Sequence, residues 1–334
     1  MNSYLYGIAI IATILLRPAM PHAETATTKA VSFHGNILAD KDISAIAIFR
    51  GMLVIGSDEA VGNKSNKNYI QLLKQENPHA YRTVNDILIY RGNKLDGKEL
   101  DIEAIAAEDQ YLYVIGSHSL ARKRLKKSNS YTDNRLRLSN IKHESSRNQL
   151  FRLTLNDSNQ INSREQVSLS ALFNSDPVLS RFTNIPSKEN GIDIEGLATK
   201  NGLLYLGFRG PVLRDGYVPV MQLKFEKPEL SYQLLYVALE GRGIRDIAAV
   251  SDGFLILAGP VGDEAVSFQL LHWNGKDCIP GGAGRMKLLS EITRPDSGKA
   301  EGLALLSETT EAYSLIMIFD GLRKGAPVHY TIKK

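Results

Sequence analysis

Three glutamates are the residues best suited to metal binding or catalysis, and each lies in a copy of one short sequence phrase. Glu103 lies in Asp-Ile-Glu-Ala-Ile-Ala, Glu195 in Asp-Ile-Glu-Gly-Leu-Ala and Glu301 in Lys-Ala-Glu-Gly-Leu-Ala. Carboxylates brought close together raise one another's pKa or require a cation. Hard oxygen ligands suit Ca²⁺ or Mg²⁺. The three glutamates therefore form a candidate metal site, provided that the fold makes them neighbours.

The same phrase occurs five times and predicts how the fold brings them together. Each copy has a polar turn, a short strand ending in Ile-Ala or Leu-Ala, a second turn and a strongly apolar strand; the copies span residues 42–56, 101–116, 193–207, 243–259 and 299–319. Alternating segments such as 149–155, 218–224 and 266–273 follow and indicate half-buried outer strands. Four-stranded units repeated radially describe an all-β protein, a β-propeller.

Five blades are predicted, or six if residues 120–190 contain a degenerate blade. A β-sandwich or an up-and-down barrel does not explain why one phrase returns five times. Ring closure is predicted to pair residues 29–35 with residues 328–332, which removes exposed sheet edges. The one predicted short helix lies within residues 169–182.

The propeller fold predicts a charged mouth at one end of the central channel. The start of each inner strand and the end of the next strand share one face, because adjacent strands are antiparallel. The side chains expected at this mouth come from both strand sets: Asp101, Glu103, Asp193, Glu195, Asp246, Glu301, residues 57–59, residues 117–119, residues 208–210 and Asp320.

Specific roles follow for a metal-assisted hydrolase at this mouth. Glu103, Glu195 and Glu301 would hold the cation and activate water. His118 or Asp246 would exchange the proton. Arg209 and Arg245 would bind an anionic group of the substrate bidentately. The alternative is that the repeated acids are structural latches between blades and that the two arginines neutralise them.

A basic segment follows His118 and is predicted to belong to an insertion in the second blade at about residues 120–190. Residues 121–147 contain nine Lys or Arg against two acidic residues, a net charge of +7. Such a segment is either an anion-binding collar beside the mouth or a solvated surface insertion.

Residues 4–16 form an uninterrupted run without charge or strong polarity. At about 1.5 Å per residue this run is too short to cross a hydrocarbon core of about 30 Å. It is typical of a signal peptide spanning residues 1–23, so we expect a periplasmic or secreted protein. A buried N-terminal strand or helix is the alternative.

Composition limits the remaining possibilities. Residues 24–334 are expected to form a single propeller domain, because all-β folds routinely exceed the usual domain length of about 150 residues. One cysteine, Cys278, excludes a disulfide framework. The net charge of +4 gives no case for nucleic-acid binding. A monomer without a membrane span after residue 23 is expected, and no Walker loop, dinucleotide fingerprint, G-x-S-x-G or H-E-x-x-H motif occurs.

Several phrases in fixed order resemble the bacterial domain-of-unknown-function family 3616. They are residues 116–119, 147–151, 191–198, 207–213, 241–248 and 299–304. The resemblance spans about residues 40–325 and implies a secreted or periplasmic, propeller-like protein without an established activity. The Glu-Gly-Leu-Ala phrase is also similar to the esterase-like phytase group, which implies phosphate-ester cleavage. The first copy of the phrase has Ser44 in place of the glutamate, which leaves the carboxylate ring incomplete.

Two functions remain open at this point. The first is a metal-assisted hydrolase of a phosphate ester or lactone that uses Ca²⁺ or Mg²⁺. The second is a non-catalytic propeller that binds a small anionic molecule or an envelope protein. Propellers serve both roles, so the fold alone does not decide between them.

Overall fold

A computed structural model of the protein describes residues 26–38, 40–61, 66–93, 95 and 97–334. The predicted signal peptide, residues 1–23, lies outside the described residues. None of the helices in the described ranges is both long and apolar enough to span a membrane.

Five four-stranded antiparallel sheets form the blades of a β-propeller, as the repeat predicts. The blades are numbered in chain order, and their strands are given from the inner to the outer edge. Blade 1 contains Ile43–Phe49, Met52–Ser57, Lys67–Asn77 and Ala80–Arg91; blade 2 contains Ile102–Glu108, Tyr111–Gly116, Leu150–Leu155 and Ile161–Val167; blade 3 contains Asp193–Lys200, Leu203–Gly210, Tyr217–Leu223 and Gln233–Ala238; blade 4 contains Gly243–Val250, Gly253–Gly259, Phe268–Trp273 and Met286–Ile292; blade 5 contains Lys299–Glu308, Ala312–Asp320, Val328–Lys333 and Thr27–Ala30.

The inner strands surround a central axis. Each packs against the inner strands of the two neighbouring blades, and blade 5 packs against blade 1 to complete the ring. The first two strands of every blade are mostly buried and rich in apolar residues, as expected for strands covered on both faces, and their charged residues include those of the site. The blades are close enough that glycine is required at some contacts. A Cβ on Gly207 would lie 2.6 Å from Ile244 Cγ2 of the next blade.

The ring is closed by pairing the two ends of the described chain, which confirms the predicted pairing with a shifted boundary. Thr27–Ala30 pairs antiparallel with Val328–Lys333, and Thr27 lies opposite Thr331. The predicted strand of residues 29–35 is divided. Its second half, Ser32–His34, pairs in parallel with the outer strand of blade 1. The N-terminal segment therefore bridges the last and first blades.

Two segments extend from the second blade. Residues 117–149 contain a ribbon of Ala121–Arg122 with Ile141–Lys142, helix α1 (Tyr131–Ser139) and a 3₁₀ turn at Ser145–Arg147. Residues 168–192 contain helix α2 (Ser170–Ser175) and 3₁₀ turns at Leu179–Arg181 and Ser187–Glu189. The range 120–190 is therefore not one insertion, because two strands of blade 2 separate its parts.

Helix α2 occupies the place where the sequence predicts a helix, although it is shorter than expected. Helix α1 and helix α3 (Pro228–Ser231) were not predicted, and 3₁₀ turns also occur at Arg214–Gly216 and Arg323–Gly325.

Candidate functional site

A β-bulge occurs at the same position in the inner strand of every blade. In blade 2, Ile102 lies opposite Gly116 and Ala104 opposite Ile115, so Glu103 is the extra residue. A bulge redirects a side chain from the regular alternation, and bulges are frequent beside functional sites. The extra residues of the five blades are Ser44, Glu103, Glu195, Arg245 and Glu301. These five bulge residues form one ring around the channel.

The ring lies beneath a cavity of about 530 Å³ at one mouth of the channel. Glu103, Glu195 and Glu301 line this cavity together, which confirms that the repeated glutamates converge. Four further acids from the predicted mouth also line it: Asp58, Asp101, Asp193 and Asp320. Seven of the carboxyl groups that line the cavity thus come from the predicted mouth, and they belong to four blades.

Two arginines link three blades through buried ion pairs. Arg209 contacts both Asp193 and Glu195. The Arg245 guanidinium lies 2.9 Å from Glu195 and also contacts Glu301, and its side chain is 2% exposed. The two predicted anion-binding residues therefore already hold carboxylates. This agrees with the sequence alternative in which the arginines neutralise the acids.

A third arginine neutralises the blade 2 side of the site. Arg147 Nη1 donates to Asp101 Oδ2 at 2.9 Å, and its guanidinium also pairs with Glu99 and Glu144. The sequence placed Arg147 in the basic collar and gave no signal that it folds inward. Burial raises the pKa of Glu99, another residue the sequence analysis missed, to about 7.

Glu103 differs from the other glutamates because it has no ion-pair partner among the described residues. Glu103, Asp193 and Glu195 each offer a carboxylate oxygen, and these oxygens lie within 4.8 Å of one another. Glu301, which the sequence assigned to the metal, is not part of this triad and contacts Arg245 instead. Asp193 takes its place. In the described part of the cavity, the buried Oδ1 of Asp58 also lacks a hydrogen-bond partner.

Burial shifts the protonation of these acids. It raises the pKa of Asp193 and of Glu301 to about 7, against the opposing effects of Arg209 and Arg245 respectively. It raises the pKa of Glu103 well above its usual range, and the charges of Asp101, Glu195 and Asp193 add to this shift. Removing carboxylates from water disfavours their charged form. The cavity therefore favours bound protons or a bound cation.

His118 is not among the residues lining the cavity. Its Nδ1 donates to Gly116 O at 2.9 Å, its Nε2 accepts from Leu169 N at 3.3 Å, and its ring packs against Phe173. Burial lowers the pKa of His118 to about 4. Both ring nitrogens thus hold the backbone and helix α2 in place, so the predicted proton-exchange role is not supported by its position.

Asp246 is also absent from the cavity lining, and its position identifies it as a latch between blades. One carboxylate oxygen accepts from Ile247 N and the other from Leu303 N of blade 5, each at 2.7 Å. This position does not support the predicted proton-exchange role for Asp246, and its neighbour Arg245 is the bulge residue of blade 4. Position-by-position alignment of the five sequence copies contains this signal, since Arg245 aligns with Glu103.

The outer rim of the cavity is basic and partly built by the predicted insertion. Arg122 is held by Glu189 through two contacts, and Lys188 pairs with Asp263 at 3.4 Å. Lys123, Arg124 and Lys299 also line the rim, and they form no ion pair with any residue in the described ranges. An acidic floor below a basic rim suits a cation together with an anionic group.

The sequence matches the family described as "Protein of unknown function (DUF3616)" over residues 42–326. The chain belongs to this family. The match covers all five inner strands and the bulge ring, so the resemblance noted from the sequence phrases is confirmed. No curated protein matches the chain.

Solved structures show distant likeness only. A protein of unknown function from Dyadobacter fermentans is 12% identical with a TM-score of 0.44, covering 92% of this chain and 99% of that one. The mannose phosphorylase MPT-4 from Leishmania mexicana is 10% identical with a TM-score of 0.40, covering 93% and 88%. An exo-β-1,3-galactanase from Phanerochaete chrysosporium is 9% identical with a TM-score of 0.44, covering 91% and 62%. These values carry no information about activity.

Proposed function

We propose that this propeller is a metal-assisted hydrolase of a phosphate ester or lactone, acting in the periplasm or outside the cell. The observation that carries the proposal is the triad of Glu103, Asp193 and Glu195, whose oxygens lie within 4.8 Å of one another. Three convergent carboxylates are a donor set suited to Ca²⁺ or Mg²⁺. The unpartnered Oδ1 of Asp58 adds a buried acceptor that a hydrated cation would satisfy.

The cation would polarise a substrate oxygen and lower the pKa of a bound water. Glu301 is the residue best placed to exchange protons, because it lines the cavity and burial raises its pKa to about 7. Neither His118 nor Asp246 is needed for this role. Arg245 contacts Glu301 and would hold its carboxylate in place in the cavity lining.

The anionic part of the substrate would bind at the rim rather than at the floor. Arg209 and Arg245 are occupied by carboxylates, whereas Lys123, Arg124 and Lys299 line the cavity without an ion-pair partner in the described chain. Charges of opposite sign at floor and rim then orient the substrate, with its reacting group toward the triad.

Cation binding is tested by thermal melting with EDTA and with Ca²⁺ or Mg²⁺. A ligand that binds the folded state raises its stability, so at saturation we expect Tm to rise by several degrees. Glu103→Gln removes one charged ligand with little change in shape and is expected to abolish most of this shift. The matched control is Glu108→Gln, because Glu108 lies at the far end of the same strand and contacts Gly202 N. No shift in the unaltered protein, or an equal shift in Glu103→Gln, contradicts the assigned site.

Hydrolysis is tested with p-nitrophenyl phosphate and dihydrocoumarin as phosphate-ester and lactone probes. We expect cation-dependent turnover of one probe and a loss of at least about 100-fold in kcat/KM for Glu103→Gln. Glu108→Gln is expected to retain turnover. If cations shift Tm but neither probe turns over, the hydrolase is contradicted and the binding function is favoured.

One observation favours a non-catalytic binding protein as the second candidate. The alternating contacts of Asp193, Arg209, Glu195, Arg245 and Glu301 neutralise much of the floor without any ligand. In that case the same cavity would bind a small anionic molecule at its rim, and the floor would serve to join the blades.

A further inference from the structure

Helix α1 and the loop before it expose apolar side chains that the fold does not use. No residue of the helix is buried. Of the nine large hydrophobic residues exposed in the described chain, four lie within residues 125–138. They are Leu125, Tyr131, Leu136 and Leu138, with exposed fractions of 49–79%. Packing among the described residues therefore does not account for them.

These side chains are displayed by an ordered element. Ser130 caps the helix by accepting from Asp133 N at 3.0 Å. Arg137 Nε donates to Arg124 O at 2.7 Å, and Asn134 bonds both backbone groups of Lys126. These contacts attach the helix to the loop 123–127. These hydrogen bonds order the segment, although ordering has an entropic cost. The exposed leucines therefore belong to an ordered element and not to an irregular surface loop.

The same segment carries strong positive charge. Residues 121–142 contain eight Lys or Arg and one acid, Asp133. The basic side chains that are exposed surround the apolar ones: Lys123, Arg124, Lys126, Lys127, Arg135 and Lys142. Aliphatic and aromatic side chains interleaved with Lys and Arg are the composition of interfacial membrane-binding elements.

We propose that residues 122–142 form a docking surface for a membrane containing anionic lipids. Tyr131 and Leu138, seven residues apart on one face of helix α1, would enter the boundary between headgroups and acyl chains together with Leu125, which lies beside Leu138 at the cavity mouth, while the lysines and arginines contact lipid phosphates. Each such charge adds to the attraction toward an anionic surface, and salt weakens this attraction. A protein partner fits less well, because lysine is depleted at the centres of protein interfaces. Nucleic acid would leave the leucines without a role.

The docking surface is continuous with the cavity, since Leu125 and Leu138 also line its mouth. A docked membrane would thus face the cavity opening. The docking proposal nevertheless does not depend on hydrolysis or on the metal, because it concerns only the outer rim.

The test is co-sedimentation with phosphatidylglycerol and phosphatidylcholine vesicles, in EDTA so that cation binding cannot contribute. We expect salt-sensitive binding to phosphatidylglycerol vesicles and little binding to phosphatidylcholine vesicles. Two variants separate the apolar and charged contributions: the leucine variant Leu125→Ser/Leu138→Ser and the charge variant Lys126→Gln/Lys127→Gln/Arg135→Gln. Each is expected to lower the partition coefficient at least about tenfold.

The matched control is Leu230→Ser, since Leu230 is 78% exposed on helix α3 of blade 3. It is expected to bind vesicles like the unaltered protein. Unchanged Tm in all variants shows that folding is intact. The proposal is overturned if the unaltered protein fails to sediment with anionic vesicles, or if the leucine variant binds them as well as the control does.

Discussion

Replacing Arg245 with methionine is expected to destabilise the protein by about 3–5 kcal/mol at pH 8, because it leaves buried carboxylates without a partner. Arg245 is 2% exposed and holds Glu195, which is 4% exposed, and Glu301, which is 11% exposed. Methionine fills much of the volume of the arginine side chain, so the loss of stability is due mainly to the missing positive charge. The free energy of unfolding in urea measures it.

The size of this loss should depend on pH. Burial raises the pKa of Glu301, so at pH 5 the orphaned carboxyl takes up a proton and the loss should be markedly smaller than at pH 8. The control is Arg82→Met. Arg82 pairs with Glu76 at an exposed site, so this substitution should lower the free energy of unfolding by less than about 1 kcal/mol. A loss from Arg245→Met no larger than this control would contradict the buried network.

The second large effect is a fall in stability with rising pH when divalent cations are removed. Unfolded carboxyl groups lose their protons near pH 4. In the folded protein burial holds the pKa of Asp193 and Glu301 at about 7 and that of Glu103 well above its usual range. Between about pH 4 and the raised pKa values, the folded state therefore binds more protons than the unfolded state. The free energy of unfolding then declines as the pH rises through this range.

In EDTA we expect Tm to fall by at least about 5 °C between pH 5 and pH 8. Ca²⁺ or Mg²⁺ binds the ionised carboxylates, so the cation-induced rise in Tm should be larger at pH 8 than at pH 5. Glu103→Gln removes one titrating group and should flatten the decline, whereas Glu108→Gln should not. A Tm in EDTA that rises over this range would refute the account of the buried acids.

The fold was predictable because the sequence patterns that specify it are local and repeated. Strand alternation, turns and a phrase that returns five times are visible without tertiary contacts, and radial repetition then places the phrase starts at one mouth. This reasoning located Glu103, Glu195 and Glu301 in one cavity. It also identified the strand that closes the ring, although the end of that strand at Ala30 was not visible in the sequence.

The roles within the site were less predictable, because they depend on single-residue register and on side-chain contacts. In Gly-Ile-Arg-Asp the bulge selects Arg245 for the ring and leaves Asp246 as a latch. The one-residue difference decides which side chain joins the ring of bulge residues and which bonds the backbone of the next blade. His118 is at a strand end, as predicted, but helix α2 covers it. Asp193 rather than Glu301 completes the triad, because its carboxylate oxygen lies within 4.8 Å of those of Glu103 and Glu195.

The central claim is that Glu103, Asp193 and Glu195 hold a divalent cation at the mouth of the channel. Its most direct test is anomalous diffraction from crystals grown with Mn²⁺, which prefers the same oxygen ligands as Mg²⁺ and Ca²⁺. We predict one strong anomalous peak within about 2.0–2.6 Å of oxygens from all three side chains. Crystals that diffract well, contain Mn²⁺ and show no peak among these carboxylates would contradict the claim.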